Sequence, residues 1–103
     1  MFVLLLKYIK PIEEVERLMP AHREFLDRFY REGKFICSGP REPRTGGVIL
    51  ADVANQVEAM KIVVEDPFFS EKVAEYEVIC FAPTRAAEAF EAYVKEPAAA
   101  AAR

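Results

Sequence analysis

Several things are scarce in this chain, and each scarcity narrows what it can do. It has two cysteines, Cys37 and Cys80, without CxxC spacing, and a single histidine, His22. Two separated thiols make a poor disulfide framework, and one imidazole makes a poor zinc site, because the usual sets need several Cys or His ligands. No apolar run approaches the roughly 18–20 residues needed to cross a bilayer. The opening Met1-Phe2-Val3-Leu4-Leu5-Leu6 stops at Lys7 and has no basic leader before it, so it does not read as a signal peptide. Basic residues are outnumbered, 14 against 17 acidic, for a formal net charge of −3. Phosphate backbones demand a concentrated basic footprint, so nucleic acid is excluded as a partner. The four glycines form no phosphate-binding loop or nucleotide fingerprint, so no organic cofactor is expected. Ser38 lacks the Gly-x-Ser-x-Gly elbow of an acyl-enzyme nucleophile. The expectation is a reduced, cytoplasmic protein with neither metal nor cofactor.

What is present describes one globular domain. In 103 residues, 52% are hydrophobic and 12% aromatic, which argues against disorder. Phe2 to Ile9 is apolar and β-favoured and ends before Pro11. Ile12 to Leu18 has a helical pattern, and a main helix starts afresh near Pro20, a residue tolerated in a first turn. His22, Phe25, Leu26, Phe29 and Tyr30 recur at helical spacing, and Gly33 stops the helix as a left-handed cap. Phe35 to Ser38 reads as a second strand closed by Gly39-Pro40, and Gly47 to Val53 as a third. Asn55 caps a helix whose apolar residues are Val57, Met60, Ile62, Val63 and Val64. A short turn follows Asp66-Pro67, then a strand over Glu75 to Phe81 and a last amphipathic helix over Arg85 to Lys95. The domain is placed at residues 1–96, and 97–103 form an Ala-rich tail expected to fray.

The order β-α-β-β-α-β predicts a ferredoxin-like α+β fold, a four-stranded antiparallel sheet with helices on one face. The first strand is apolar on both sides, with Phe2, Leu4, Leu6 and Tyr8 against Val3, Leu5 and Ile9. The third strand repeats this. Helices on one face cannot cover the other, so the sheet is expected to pack on a second copy of the chain as a homodimer through its sheet faces. Gly47-Val48-Ile49-Leu50-Ala51 offers neither the aromatics nor the bases an RNA-binding sheet needs.

Candidate chemistry centres on His22. Periodicity by itself favours a core histidine bonded to backbone; an imidazole oriented by a carboxylate serves instead as a general base near neutral pH. Asp66 before Pro67 is an ordinary helix cap, yet a capping carboxylate has a second oxygen to spare. With helices on one sheet face, His22 and Asp66 can meet, which sequence alone does not establish. At the second strand's end, Gly39 lets a ligand approach backbone and Arg41 is a candidate anion contact, although locally a plain turn or bulge with a solvated arginine explains them better. Tyr8 and Tyr76 read as core residues with one polar tip each.

Taken together, Leu6-Lys7-Tyr8, Pro20-Ala21-His22-Arg23-x-Phe25-Leu26, Gly33-Lys34-Phe35, Ser38-Gly39-Pro40, Gly46-Gly47 and Asp66-Pro67-Phe68 fall in an order that resembles the YciI-like (YCII) family over roughly residues 1–83. The resemblance implies a dimeric α+β barrel and a His–Asp pair, here His22 and Asp66. One activity assigned within the family is dehydrochlorination of a chlorinated hydroxyhydroquinone, which implies lyase-like acid/base chemistry on a small cyclic or phenolic substrate. Phe25, Phe68 and Tyr8 are the expected apolar walls, with Ser38, Gly39, Pro40 and Arg41 as further substrate contacts. The alternatives are a non-catalytic ligand-binding or regulatory module and a cofactor-free monooxygenase on the same barrel.

Overall fold

The computed structural model describes residues 1–94. The expected Ala-rich tail and the end of the last helix lie outside the described residues. Strand β1 (Phe2–Tyr8) is followed by helices α1 (Ile12–Arg17) and α2 (Met19–Arg31), strands β2 (Phe35–Pro40) and β3 (Gly46–Ala51), helices α3 (Gln56–Val63) and α4 (Pro67–Ser70), and strand β4 (Ala74–Cys80). The sheet runs β2-β3-β1-β4 with every neighbouring pair antiparallel. This is the expected ferredoxin-like α+β arrangement.

Local chemistry explains the breaks. Pro20 sits in the first turn of α2, where a missing N–H costs nothing, and the chain bends from α1 at Leu18. Helix α2 ends at Gly33, whose φ of 72° only glycine adopts cheaply, with Lys34 N–H bonded back to the Phe29 carbonyl. Asn55 caps α3 by accepting from Glu58 N–H at 2.9 Å, and Asp66 caps α4 by accepting from Phe68 N–H at 2.9 Å.

Strand alternation sorts the sheet into two unlike faces. Phe2, Leu4 and Leu6 of β1 and Ile49 of β3 are buried against Phe25 and Phe29 of α2, Ile62 and Val63 of α3, and Phe68. The opposite face carries Val3, Leu5, Val48 and Leu50, all only half-buried, and Ile79, which is exposed. Expected strand ends move by a residue or two: β2 runs through to Pro40 because Gly39 and Pro40 still pair with Val48 and Gly47.

Of the apolar residues of α3 and its end, Ile62 and Val63 face the core with Ala59, while Val57, Met60 and Val64 are exposed. Five apolar residues packed this closely exceed what one helix face can bury. The last element is a 3-10 helix over Glu88–Tyr93 rather than an amphipathic α-helix from Arg85. It buries no residue and has no side-chain cap, and short helices gain most of their stability from tertiary packing.

Candidate active site

Cross-strand register sets the floor of the site. Leu6 of β1 pairs with Tyr76 of β4 on one side and Gly47 of β3 on the other, and Gly47 pairs with Pro40 of β2. The next row of the same face runs Val78, Leu4, Ile49, Ser38. Residues scattered through the sequence thereby converge beneath α2, which supplies His22.

His22 Nδ1 lies 2.8 Å from Asp66 Oδ1. The aspartate is fully buried and His22 nearly so. Asp66 Oδ1 also takes the Phe68 N–H that caps α4, while Oδ2 accepts a hydrogen bond from the Tyr76 hydroxyl. Both oxygens of one buried carboxylate are therefore occupied by donors, as a buried charge requires. Burial first, and the Asp66 carboxylate second, push the Tyr76 phenol far above its ordinary value, so it stays a donor. A carboxylate only accepts, so Nδ1 carries the hydrogen and the neutral ring keeps its lone pair on Nε2. Among the described residues Nε2 has no hydrogen-bond partner, and no buried side-chain nitrogen or oxygen lacks one; Nε2 must therefore open to accessible space.

That space is a cavity of about 490 Å³, within the range of small-molecule sites. Its apolar lining includes Leu6, Met19, Leu26, Ile49 and Phe68, and its polar lining includes Tyr8, Glu16, Arg23, Ser38 and Arg44. Phe68 stacks on the His22 ring with centroids 3.9 Å apart, and Tyr8 meets Phe68 edge-on at 6.0 Å. Ser38 Oγ and the Tyr30 hydroxyl are 2.6 Å apart.

Of the residues singled out from sequence, His22, Tyr8, Ser38, Gly39, Pro40 and Phe68 line this cavity, and Asp66 stands behind His22. Two fall elsewhere. Phe25 is outside the lining and belongs to the core, packed against Phe29 and Phe35 at 5.2 and 5.6 Å, with its ring also 5.9 Å from that of His22. Arg41 is exposed and outside the lining; its backbone N–H bonds Gly46, and the arginines that line the cavity are Arg23 and Arg44. Sequence reasoning also gave Tyr76 no role beside Asp66. The available signal was a tyrosine on the core-facing parity of a strand, whose hydroxyl needs a buried partner.

A family model describing the YCII-related domain matches residues 1–82, most of the chain. The chain belongs to this family. No curated protein matches its sequence significantly. Among solved structures, the fold is similar to that of 5-chloro-2-hydroxyhydroquinone dehydrochlorinase (TftG) from Burkholderia phenoliruptrix AC1100, in complex with 2,5-dihydroxybenzoquinone. The TM-score is 0.67 at 18% identity, covering 81% of this chain and 95% of that one. At that identity the likeness speaks to the fold. Among the described residues no group of His, Cys, Asp and Glu side chains is placed to hold a metal ion, and no helix is long and apolar enough to cross a membrane.

Proposed function

We propose that this YCII-domain protein is an acid/base enzyme of lyase type acting on a small cyclic or phenolic substrate. One observation carries the reading: His22 Nε2 opens into a cavity while Nδ1 is held by a buried, fully hydrogen-bonded carboxylate. A base on a floppy ring loses both its tautomer and its aim; Asp66 preserves both and stabilises imidazolium when it forms. His22 accepts a proton from the substrate, the electron pair of the broken bond moves into a new double bond, and a leaving group departs with its own pair. The proton then returns to solvent. Tyr8, whose hydroxyl has no hydrogen bond among the described residues, offers a donor to a substrate oxygen. The TftG likeness supports chloride as one such leaving group.

The test is chloride release from 5-chloro-2-hydroxyhydroquinone, with the hydroxybenzoquinone left by loss of HCl followed by absorbance. His22→Gln should lower the rate by roughly 10²–10⁴-fold, the usual range for a positioned acid/base group. Turnover unchanged in that variant would refute the assignment. Binding without turnover in the wild type would move the protein to a ligand-binding role.

The same reading includes a homodimer joined through the sheet faces. Its support is the row Cys37, Leu50, Val3, Ile79 on the uncovered face, apolar on four strands in register. Leu5→Glu on that face should convert a dimer to a monomer by light scattering. The exposed, unpaired Cys37 and Cys80 suit a reducing compartment such as the cytoplasm.

A further inference from the structure

The charge on the cavity wall narrows the substrate class. Three of its lining residues are formally charged: Glu16, Arg23 and Arg44. Arg44 Nη1 is already paired with Glu16 Oε1 at 3.2 Å, joining the loop after β2 to α1. Among the described residues, Arg23 has no ion pair or hydrogen bond through its side chain. Arg17 is engaged with Glu14, and Arg28 with Glu32 and Glu65; Arg31 and Arg41 have no side-chain partner among the described residues either, but they lie outside the lining. The lining therefore holds one compensated pair and one free guanidinium, directly following the candidate base in sequence. The chain as a whole has the opposite sign, with a formal net charge of −3.

We propose that the cavity takes an anionic ring compound, a small cyclic acid or enolate-type substrate whose negative oxygens are held by Arg23. This deepens the acid/base reading of the same site and rests on it. A neutral phenol has no use for an unpaired guanidinium; a carboxylate or ring oxyanion fits its planar fork of donors. Such a contact also orients the ring, because a bidentate pair fixes direction where apolar walls do not. Glu16 then has a defined part. It holds Arg44 away from the ligand and adds a negative charge to the wall, so it tempers the affinity that Arg23 provides.

The experiment uses two probes that share a ring and differ in charge: 2,5-dihydroxybenzoate and its neutral amide, 2,5-dihydroxybenzamide. The single histidine supplies an unambiguous reporter through the shifts of its ring protons on titration. Wild type should bind the acid about tenfold more tightly than the amide, a modest ratio because the guanidinium is exposed. Added salt should erode only the acid's affinity. Arg23→Met should abolish the preference and leave amide binding intact, while Arg31→Met, on the same helix and outside the cavity lining, should leave both unchanged. Glu16→Gln should move affinity the other way, strengthening the acid a few-fold and the amide not at all. This second variant keeps the test decisive if Arg23→Met folds poorly. Equal affinity for acid and amide in the wild type, with His22 shifting in both titrations, overturns the anion proposal and leaves the acid/base reading standing. No shift of His22 with either probe overturns both.

Discussion

The His22 imidazole lies face to face on the Phe68 ring, with centroids 3.9 Å apart and planes 4° from parallel. Phe68 also donates its backbone N–H to Asp66 Oδ1, the atom that receives His22 Nδ1. One residue therefore supports the ring from its face and helps fix the carboxylate that holds the ring at its edge. Helix capping and orientation of the base depend on the same oxygen.

Replacing Phe68 with leucine separates the two roles, because the backbone donor survives and the flat face does not. The expected loss is about 1–2 kcal/mol of stability by denaturant titration, from lost volume and lost ring contact. The His22 ring protons should broaden or shift toward an averaged environment. A sharp, unmoved histidine spectrum would show that Phe68 only fills space.

Asp66→Asn keeps an oxygen for the Phe68 N–H but removes the obligate acceptor that selects the histidine tautomer. Nitrogen-15 shifts of the neutral imidazole should report hydrogen on Nδ1 in the wild type and a mixture in the variant. Activity should fall with the loss of that tautomer. Asp66→Ala should in addition cost about 1–2 kcal/mol through the missing helix cap. Identical tautomer ratios in wild type and Asp66→Asn would remove the orienting role.

Tyr76 provides a pH signature. Its phenol is pushed upward from the ordinary value of 10.0 by burial and by Asp66, so the folded state keeps the proton that the unfolded state gives up. A folded value raised above the unfolded one means the contribution is fully present below about pH 10 and is lost as pH rises beyond it. The slope from this one group is about 1.4 kcal/mol per pH unit. In Tyr76→Phe that slope should disappear, with a lower stability at neutral pH because Asp66 Oδ2 loses its donor. Parallel alkaline curves for the two proteins would contradict this account.

Two glycines beside the cavity should respond oppositely to alanine. A Cβ on Gly46 would lie 1.8 Å from the Leu6 carbonyl oxygen, so β1 and β3 would have to separate where Lys7 pairs with Gly46. Gly46→Ala should cost on the order of 2–3 kcal/mol or more and displace the loop that carries Arg44. A Cβ on Gly39 meets nothing within 4 Å. Gly39→Ala should fold normally, and its effect should appear in ligand affinity because Gly39 lines the cavity. Similar thermal midpoints for the two variants would show that the Gly46 contact is relieved cheaply.

Much of the fold was legible because local signals agreed. The alternating strand Phe2–Tyr8, Pro20 in a first turn, left-handed Gly33 and the Asn55 and Asp66 caps each act over a few residues. The last helix misled for the matching reason: its residues favour helix, but no core receives them, and propensity alone is weak. Likewise the outward apolar stripe of α3 is invisible to a count of apolar residues, since a helix buries only the face its neighbours meet.

Local sequence signals carried the order of the four strands and the helices between them, the family pattern, and one histidine and one capping aspartate able to meet. Only the tertiary structure decided that their atoms lie 2.8 Å apart, that Tyr76 completes the carboxylate, and that Arg23 and Arg44 rather than Arg41 line the cavity. Periodicity assigns a residue to a face of its own element. Which faces meet, and which side chains then share one space, is set by strand register and by the packing of α2 over the sheet.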